Sequence, residues 1–232
     1  MYTDSSEFYD LIYSFKDYQK ESTNIVDIIK LRHPNCKSLL DIGCGTAEHH
    51  KYLKEAYTLD GIDLNPKFIE IAKTKNEHGN YWIADMRNFA LNKNYDVILC
   101  LFSSIGYLKR LDDIVSALKC FAAHLNPNGM VIVEPWFTPV NYYPGRIGML
   151  AYDKNEIKIC RMTQSNLEDD LSVLDIQYLV GTPQQGLKHF SEKHELRLTS
   201  NAEMITAFKL AGFNVEFDEN GLIGRGLYYA YL

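Results

Sequence analysis

Over its first 135 residues, this 232-residue chain alternates segments of helical apolar period with short apolar runs. These segments follow one another in the order 22–33, 38–42, 48–57, 58–64, 66–76, 80–85, 95–102, 111–125 and 130–136. Strands that alternate with helices form parallel sheets with helices on both faces. The alternation therefore predicts a doubly wound, Rossmann-like α/β sheet.

The pattern changes after Pro139, where β-rich segments follow one another without helices between them. The turn sequences DKNE, NLEDD and TPQQG separate these segments, as in antiparallel hairpins. A helix at 200–213 and two further strands then complete the main sheet. We predict one domain built from 1–136 and 200–232, with an antiparallel β insertion at 137–199 that serves as a lid, a homodimer surface or both.

Composition and charge narrow the class of partner. The net charge is −6 and Lys and Arg are not clustered, which argues against nucleic-acid binding through a basic surface. No apolar run reaches transmembrane length, and the amino terminus lacks the pattern of a secretory signal. The five cysteines are scattered without C-x-x-C spacing, as reduced thiols are. We therefore expect a cytoplasmic protein that binds a small molecule rather than nucleic acid or a membrane.

The stretch LLDIGCGTAEHH at 39–50 predicts a ligand-binding turn after the first strand. Gly43 and Gly45 let the backbone turn sharply and approach a ligand, while Asp41 offers an acceptor suited to a cationic group. Glu48 stands where a dinucleotide-binding turn has its third glycine, which disfavours a pyrophosphate site. A glycine-rich turn in some other α/β protein remains an alternative at this point.

Two more acids end the next two strands. Asp63 ends the second strand, where a carboxylate can bind both ribose hydroxyls of an adenosine, in either NAD or S-adenosylmethionine. Asp85 ends the third strand and can accept a hydrogen bond from the adenine amine, while Met86 packs on the base. Because ligands bind at the carboxyl edge of open α/β sheets, three acids at this edge predict a cofactor site.

Several segments together resemble the class I S-adenosylmethionine-dependent methyltransferases, and within them the N,N-dimethyltransferases of nucleotide-linked 3-amino-deoxysugars. These segments are LLDIGCGTA, GIDL, ADMRNF, VILCLFSSIGYL, HLNPNGMVIVEPWF and GRGLYYA. The chain departs from the family pattern at Ala47, which replaces a glycine, at NPNG, and at Tyr107, where some relatives have histidine. The resemblance implies S-adenosylmethionine as cofactor, no metal, and N-methylation, up to dimethylation, of a nucleotide-diphosphate-linked amino-deoxysugar.

The resemblance also implies roles for individual residues. It places Tyr107 beside the reacting amine as the catalytic residue, Tyr2 near the sugar and Arg225 near the nucleotide end of the substrate. It places Tyr9 near the methionine portion of the cofactor and Leu101 in the cofactor site. Each assignment has a structural alternative: a packed loop aromatic for Tyr107, a disordered terminus for Tyr2, an exposed hairpin cation for Arg225 and an aromatic staple for Tyr9.

Glu134 and Trp136, at the end of the fifth strand, are expected to line the acceptor pocket, although Trp136 could instead cap the core. His49 and His50, on the first helix after the glycine turn, are expected at the surface. Two other functions stay open from the sequence: methylation of another small acceptor, and S-adenosylmethionine binding without catalysis. A nicotinamide-dependent reductase is disfavoured by the missing glycine.

Overall fold

A seven-stranded sheet forms the centre of the protein, which a computed structural model describes over residues 2–232. Its strands are β1 (Ser38–Ile42), β2 (Thr58–Asp63), β3 (Tyr81–Ile83), β4 (Tyr95–Cys100), β5 (Leu125–Val133), β10 (Asn214–Asp218) and β11 (Leu227–Tyr231). They lie in the order β10-β11-β5-β4-β1-β2-β3. Strands β1 to β5 pair in parallel, while β11 pairs antiparallel with β5 and with β10. The predicted doubly wound sheet with a terminal hairpin is confirmed.

Helices cover both faces of this sheet. They are α1 (Tyr9–Ile12), α2 (Tyr18–Arg32), α3 (His50–Leu53), α4 (Pro66–Lys75), α5 (Leu111–Ala123) and α6 (Asn201–Leu210). Successive residues of β1 point to opposite faces, so Leu40 packs in one core with Phe121 of α5 and Phe208 of α6. Leu39 packs on the other face with Ile25 of α2. Each such fully buried side chain contributes about 1.5–3 kcal/mol to folding.

Local sequence signals set where the helices begin. Pro66 is the first residue of α4, and the Asn65 side chain accepts a hydrogen bond from the Lys67 backbone N–H. Ser200 and Glu203 form a reciprocal capping box at the start of α6. In α2 the cap is Asp17, so this helix begins at Tyr18 rather than near residue 22 as predicted.

Two other boundaries differ from the sequence prediction. Only His50–Leu53 of the expected helix 48–57 is helical, since Thr58 already pairs with Ser38 and the chain must return to the sheet within a few residues. The NPNG sequence does not stand between helix and strand but lies within β5, where the pairing with β4 shifts register. The α5 helix therefore ends at Ala123, before this segment.

The β insertion forms a separate four-stranded antiparallel sheet in the order β6-β7-β8-β9. Its strands are β6 (Ile147–Lys154), β7 (Ile157–Glu168), β8 (Leu171–Thr182) and β9 (Gly186–Arg197). The three predicted hairpin turns join them. Within residues 2–232, no helix is long and apolar enough to cross a membrane.

The amino-terminal segment connects the two sheets. Phe8 and Ile12 pack into a core with Ile176 and Tyr178 on the inner face of the second sheet. The Asn65 side chain, at the start of α4, donates hydrogen bonds to the Tyr2 carbonyl and the Ser6 hydroxyl. The chain start is therefore held between the carboxyl edge of the main sheet and the insertion.

Candidate functional site

A cavity of about 650 Å³ lies where the carboxyl edge of the main sheet faces the second sheet and the amino-terminal segment. This volume is within the usual range for small-molecule sites. The strand order reverses between β1 and β4, and the loops after these two strands, which contain Gly43 and Ser104, both line the cavity. Ligands of open α/β sheets bind at this reversal point.

The turn after β1 has the geometry that its glycines predict. Gly43 has φ +68°, and a Cβ there would lie 2.6 Å from the Ser104 Oγ. Gly45 has φ +54° and open space where a Cβ would stand, so its backbone borders the cavity. Ala47, which replaces the usual glycine, also adopts a left-handed φ of 60°, a conformation that glycine adopts without strain.

Asp63 lines the cavity at the end of β2. Its Oδ2 accepts a hydrogen bond from the Gly45 N–H at 2.9 Å and its Oδ1 accepts one from the Asn65 N–H at 2.8 Å. Burial raises the pKa of Asp63. A carboxylate has about four acceptor positions, so two backbone donors leave capacity for two ligand hydroxyls. The arrangement suits the ribose contact that the sequence predicts.

Asp41 borders a smaller cavity of about 50 Å³ that shares Tyr9, Gly43, Gly45, Phe102 and Ser104 with the larger one. Leu101 and Tyr9 also line this smaller cavity. The Asp41 Oδ2 lies 3.1 Å from the His50 Nε2, and the His50 Nδ1 lies 2.7 Å from the Tyr81 hydroxyl. The expectation that His49 and His50 lie at the surface is wrong: they are 8% and 0% exposed, because His49 pairs with the buried Glu21 carboxylate and His50 pairs with Asp41.

The structure separates Asp85 from Met86. Met86 lines the large cavity, whereas Asp85 is not among the lining residues. The Asp85 carboxylate is bound by Arg87, whose Nη2 lies 2.6 Å from its Oδ2. The adenine contact assigned to Asp85 stays a prediction, and it requires this ion pair to rearrange.

The loop after β4 is strained and held in place by buried acceptors. Phe102 and Ser103 adopt φ 49° and 63°, a left-handed conformation that costs about 1–2 kcal/mol for each non-glycine residue. The Phe102 N–H donates to the Glu134 Oε2 at 2.6 Å, and the Ser103 hydroxyl donates to the Pro135 carbonyl at 2.7 Å. Glu134 is 1% exposed and holds this loop instead of lining the acceptor pocket as expected. Backbone strain of this kind concentrates at functional sites.

Tyr107 lines the cavity from the short helix that follows this loop, Ser104–Tyr107. Its hydroxyl lies 2.7 Å from the Nδ1 of His194, on β9. Burial raises the pKa of the Tyr107 hydroxyl well above its ordinary value. The Tyr2 ring packs at 4.5 Å from the His194 ring and at 5.0 Å from the Tyr9 ring. The structure thus brings Tyr2, Tyr9 and Tyr107 to one cavity, with Tyr2 docked against its wall.

Trp136 and Arg225 also line the cavity. The Arg225 guanidinium lies 5.1 Å from the centre of the Trp136 ring, and its Nη1 donates to the Ser103 hydroxyl at 3.0 Å. The Trp136 Nε1 donates to the Ser172 hydroxyl of β8 at 2.7 Å. Arg225 therefore has no carboxylate partner within hydrogen-bond distance among the described residues.

The insertion contributes residues to the cavity that were not predicted from the sequence, and two of them, Arg161 and His194, carry groups able to bind a ligand or a proton. Arg161 on β7 lines it with a buried Nε that has no hydrogen-bond partner within residues 2–232. His194 is 1% exposed and contacts Tyr107. For His194 a signal was present in the two-residue period of β9, where the buried Glu192, His194 and Leu196 alternate with more exposed residues, so that one face of a strand rich in polar residues is buried.

Comparisons with known proteins give a consistent result. A methyltransferase-domain family model matches residues 39–129. The dTDP-3-amino-3,6-dideoxy-alpha-D-glucopyranose N,N-dimethyltransferase of Streptomyces fradiae is 34% identical over 96% of this chain and 89% of its own length. DesVI of Streptomyces venezuelae superposes with a TM-score of 0.92 at 32% identity, over 99% of each chain. CalS10, an amino pentose methyltransferase from Micromonospora echinaspora with S-adenosylmethionine bound, gives a TM-score of 0.87 at 26% identity over 100% of this chain and 97% of its own.

Proposed function

The chain belongs to the family of S-adenosylmethionine-dependent methyltransferases that contains the dTDP-amino-sugar N,N-dimethyltransferases, and from this premise we propose that it dimethylates the amine of a dTDP-linked amino-deoxysugar. The observation that carries the proposal is the identity of 34% over 96% of the chain to a relative named for this reaction. The match includes the insertion, which supplies one wall of the cavity.

The cofactor side of the cavity fits S-adenosylmethionine. Asp63 retains acceptor positions for the ribose hydroxyls, and the open space at Gly45 lets the cofactor approach the backbone. Met86 offers an apolar surface to the base, and Asp41 with Tyr9 lines the adjoining smaller cavity, where a carboxylate suits the cationic amine of the methionine portion. When bound, the cofactor supplies a sulfonium methyl carbon to an attacking lone pair.

The acceptor side suits a nucleotide-linked sugar. Arg225 and Arg161 present two guanidinium groups to the cavity from opposite sheets. Neither has a carboxylate within hydrogen-bond distance among residues 2–232, and a guanidinium binds phosphate oxygens in pairs. We propose that Arg225 binds the diphosphate, that Trp136 packs on the acceptor, and that Tyr2 contacts the sugar.

Methyl transfer to an amine needs alignment more than acid–base power. An unprotonated amine attacks the methyl carbon, so that the N–C bond forms while the C–S bond breaks and S-adenosylhomocysteine leaves. Holding the two reactants in line can supply about 7–11 kcal/mol of the barrier reduction. The rings of Tyr2, Tyr9 and Tyr13 pack on one another and line the cavity, where they offer an apolar surface to the bound reactants. We propose that the Tyr107 hydroxyl holds the amine in this orientation.

A binding measurement tests the acceptor class. We expect calorimetric titration of the enzyme, saturated with S-adenosylhomocysteine, to detect dTDP-linked 3- and 4-amino-deoxysugars. Free dTDP should compete, because the diphosphate contacts are common to both ligands. The control is the amino sugar without its nucleotide, which should bind at least tenfold more weakly. Equal binding of the free amino sugar would contradict the nucleotide-linked acceptor and favour another small molecule.

The insertion also presents a surface suited to a second copy of the chain. The face of the second sheet away from the cavity exposes apolar side chains, among them Ile147, Met149, Met162, Leu179 and Leu187. Lys158 and Asp175 lie on the same face, and exposed apolar side chains with charged residues among them are typical of an interaction surface. We propose a homodimer through residues 137–199, which light scattering would detect. The introduction of lysine at Met149 and Met162 should yield monomers.

We also propose a cytoplasmic location, because all five cysteines are free thiols.

A further inference from the structure

Three side chains form a hydrogen-bonded series that leads away from the reaction site. The Tyr107 hydroxyl lies 2.7 Å from the His194 Nδ1, and the His194 Nε2 lies 3.4 Å from the Glu192 Oε2. His194 and Glu192 are 1% and 6% exposed, while Tyr107 and His194 both line the cavity. The series therefore connects the cavity with a buried carboxylate.

Glu192 also anchors the amino-terminal segment. Its Oε1 accepts hydrogen bonds from the Thr3 and Ser5 backbone N–H groups at 2.8 and 3.1 Å, and its Oε2 accepts one from the Ser5 hydroxyl at 2.7 Å. Burial opposes the charge of Glu192, but these donors and His194 outweigh it and lower its pKa to about 2. Glu192 is thus an anion at neutral pH and accepts hydrogen bonds only.

The tautomer of His194 follows from this charge. Because Glu192 cannot donate, the Nε2 that faces it carries the ring proton, which leaves the Nδ1 as an acceptor. The Tyr107 hydroxyl then donates to the Nδ1. The charged or titratable groups in contact with the imidazole are Tyr107 from the loop after β4, Tyr2 from the amino-terminal segment and Glu192 from its own strand.

Tyr107 cannot serve as the base by itself. Burial raises the pKa of its hydroxyl, so the phenolate form is scarce at neutral pH. An aliphatic amine is largely protonated near neutral pH, as the α-amino group with its pKa of about 8 illustrates. Each methylation therefore requires removal of one ammonium proton, and the phenol can pass a proton on only if a second group receives it.

We infer that His194 is the positioning residue that receives this proton through Tyr107. The inference rests on the proposed function, since it concerns the amine of that acceptor. As the ammonium N–H bond breaks, its proton passes to the Tyr107 oxygen while the phenolic proton passes to the His194 Nδ1. The amine becomes neutral and His194 becomes an imidazolium beside the Glu192 anion. After the product leaves, the imidazolium proton returns to the Tyr107 oxygen while the Tyr107 proton passes to water in the cavity. The cycle repeats for the second methyl group.

The variant His194→Asn tests this inference, because its side-chain oxygen can still accept from Tyr107 at the Nδ1 position but cannot take up a proton. We expect kcat at pH 7 to fall about 100-fold, the lower end of the range for general acid–base catalysis, with KM nearly unchanged. The deficit should shrink as the pH rises above the pKa of the amine, where solvent has already removed its proton. The matched control is His189→Asn, an exposed histidine on the same strand that should behave as the parent.

A spectroscopic measurement on the parent protein gives a second readout that does not depend on turnover. Nitrogen-15 spectra of the histidine rings should show an unprotonated Nδ1 for His194, and Tyr107→Phe should shift that resonance. A protonated Nδ1 would overturn the inference, as would a His194→Asn deficit that is the same at every pH. A parent enzyme that methylates no dTDP-amino sugar would overturn the proposed function and the relay with it. An active parent with an unaffected His194→Asn variant would overturn the relay alone.

Discussion

Replacement of Asp63 by asparagine removes the negative charge of the side chain that we propose to bind the cofactor ribose. The two carboxylate oxygens accept from the Gly45 and Asn65 N–H groups, at 2.9 and 2.8 Å, and the remaining acceptor positions face the cavity. The amide keeps one acceptor oxygen but places an NH₂ donor against one of the two backbone donors. An unsatisfied buried donor costs about 1–3 kcal/mol, so the free energy of unfolding should fall by that amount.

The loss in cofactor binding has a separate origin. Hydrogen bonds from ribose hydroxyls to a carboxylate are charge-assisted and worth about 1.5–3 kcal/mol. Since about 1.4 kcal/mol is a factor of ten, Asp63→Asn should raise the Kd for S-adenosylmethionine roughly 10- to 150-fold. Isothermal titration calorimetry with S-adenosylmethionine and with S-adenosylhomocysteine measures this change, and thermal unfolding of the same samples confirms that the variant is folded.

Asp60→Asn is the matched control for this prediction. Asp60 lies on the same strand, is 3% exposed and also accepts from a backbone N–H, that of Asn80, but it is outside the cavity wall. Because the Asp60 carboxylate also pairs with Lys93 and accepts from the Tyr95 hydroxyl, this variant should lose at least as much stability as Asp63→Asn, and it should keep the parental Kd. A folded Asp63→Asn variant with the parental Kd would refute the assignment of Asp63 to the cofactor, and an equal loss of affinity in Asp60→Asn would attribute the effect to destabilisation.

Three further predictions concern other parts of the site. Arg225→Ala should raise KM for the dTDP-amino sugar roughly 10- to 100-fold and leave the Kd of S-adenosylmethionine within about twofold. An unchanged KM in steady-state kinetics would contradict the proposal that Arg225 binds the diphosphate. Gly43→Ala should lower stability by about 1–3 kcal/mol more than Gly45→Ala in denaturant unfolding, because only the former meets the Ser104 Oγ, and equal losses would contradict this packing. The Glu192 carboxylate stabilises the fold above its ordinary pKa of 4.5, and this contribution is lost as the pH falls toward its folded-state pKa of about 2. The Tm difference between parent and Glu192→Gln should therefore shrink across that pH window, and a constant difference would show that the charge is not involved.

The architecture of the main sheet was accessible from sequence because each buried strand is a short apolar run. Ser38–Ile42, for instance, has the predicted bounds, since both faces of a central parallel strand are covered and every residue after the first is buried. The predicted boundaries of helices are wrong where strand pairing in the sheet overrides the helical period of the local sequence. The helical pattern of 48–57 gives one helical turn because β2 must begin at Thr58. NPNG was expected to separate the preceding helix from the fifth strand. It lies within β5 instead, because a register shift in the pairing of β5 with β4 accommodates it.

Sequence order alone predicts the part of the site at the ends of the main-sheet strands, whereas Tyr2, Tyr9 and Arg225 were assigned through the family resemblance. Asp63 and Gly45 come after consecutive strands, so sequence position alone brings them to one edge. His194 and Arg161 reach the same cavity from the insertion, whose placement over the edge depends on contacts between residues far apart in sequence. Glu192 illustrates the difficulty: its partners Thr3 and Ser5 lie 189 and 187 residues away.

The central claim is that this enzyme dimethylates the amine of a dTDP-linked amino-deoxysugar. The most direct measurement is a time course with catalytic enzyme, S-adenosylmethionine labelled with carbon-13 in its methyl group and dTDP-3-amino-3,6-dideoxyglucose, followed by mass spectrometry and carbon–proton NMR of the nucleotide sugar. The account predicts a monomethyl intermediate that gives way to a product with two labelled methyl groups on the amine nitrogen, with two molecules of S-adenosylhomocysteine released for each dimethylated product. Label on a hydroxyl oxygen, or no label on any dTDP-amino sugar while S-adenosylmethionine binds, would contradict it.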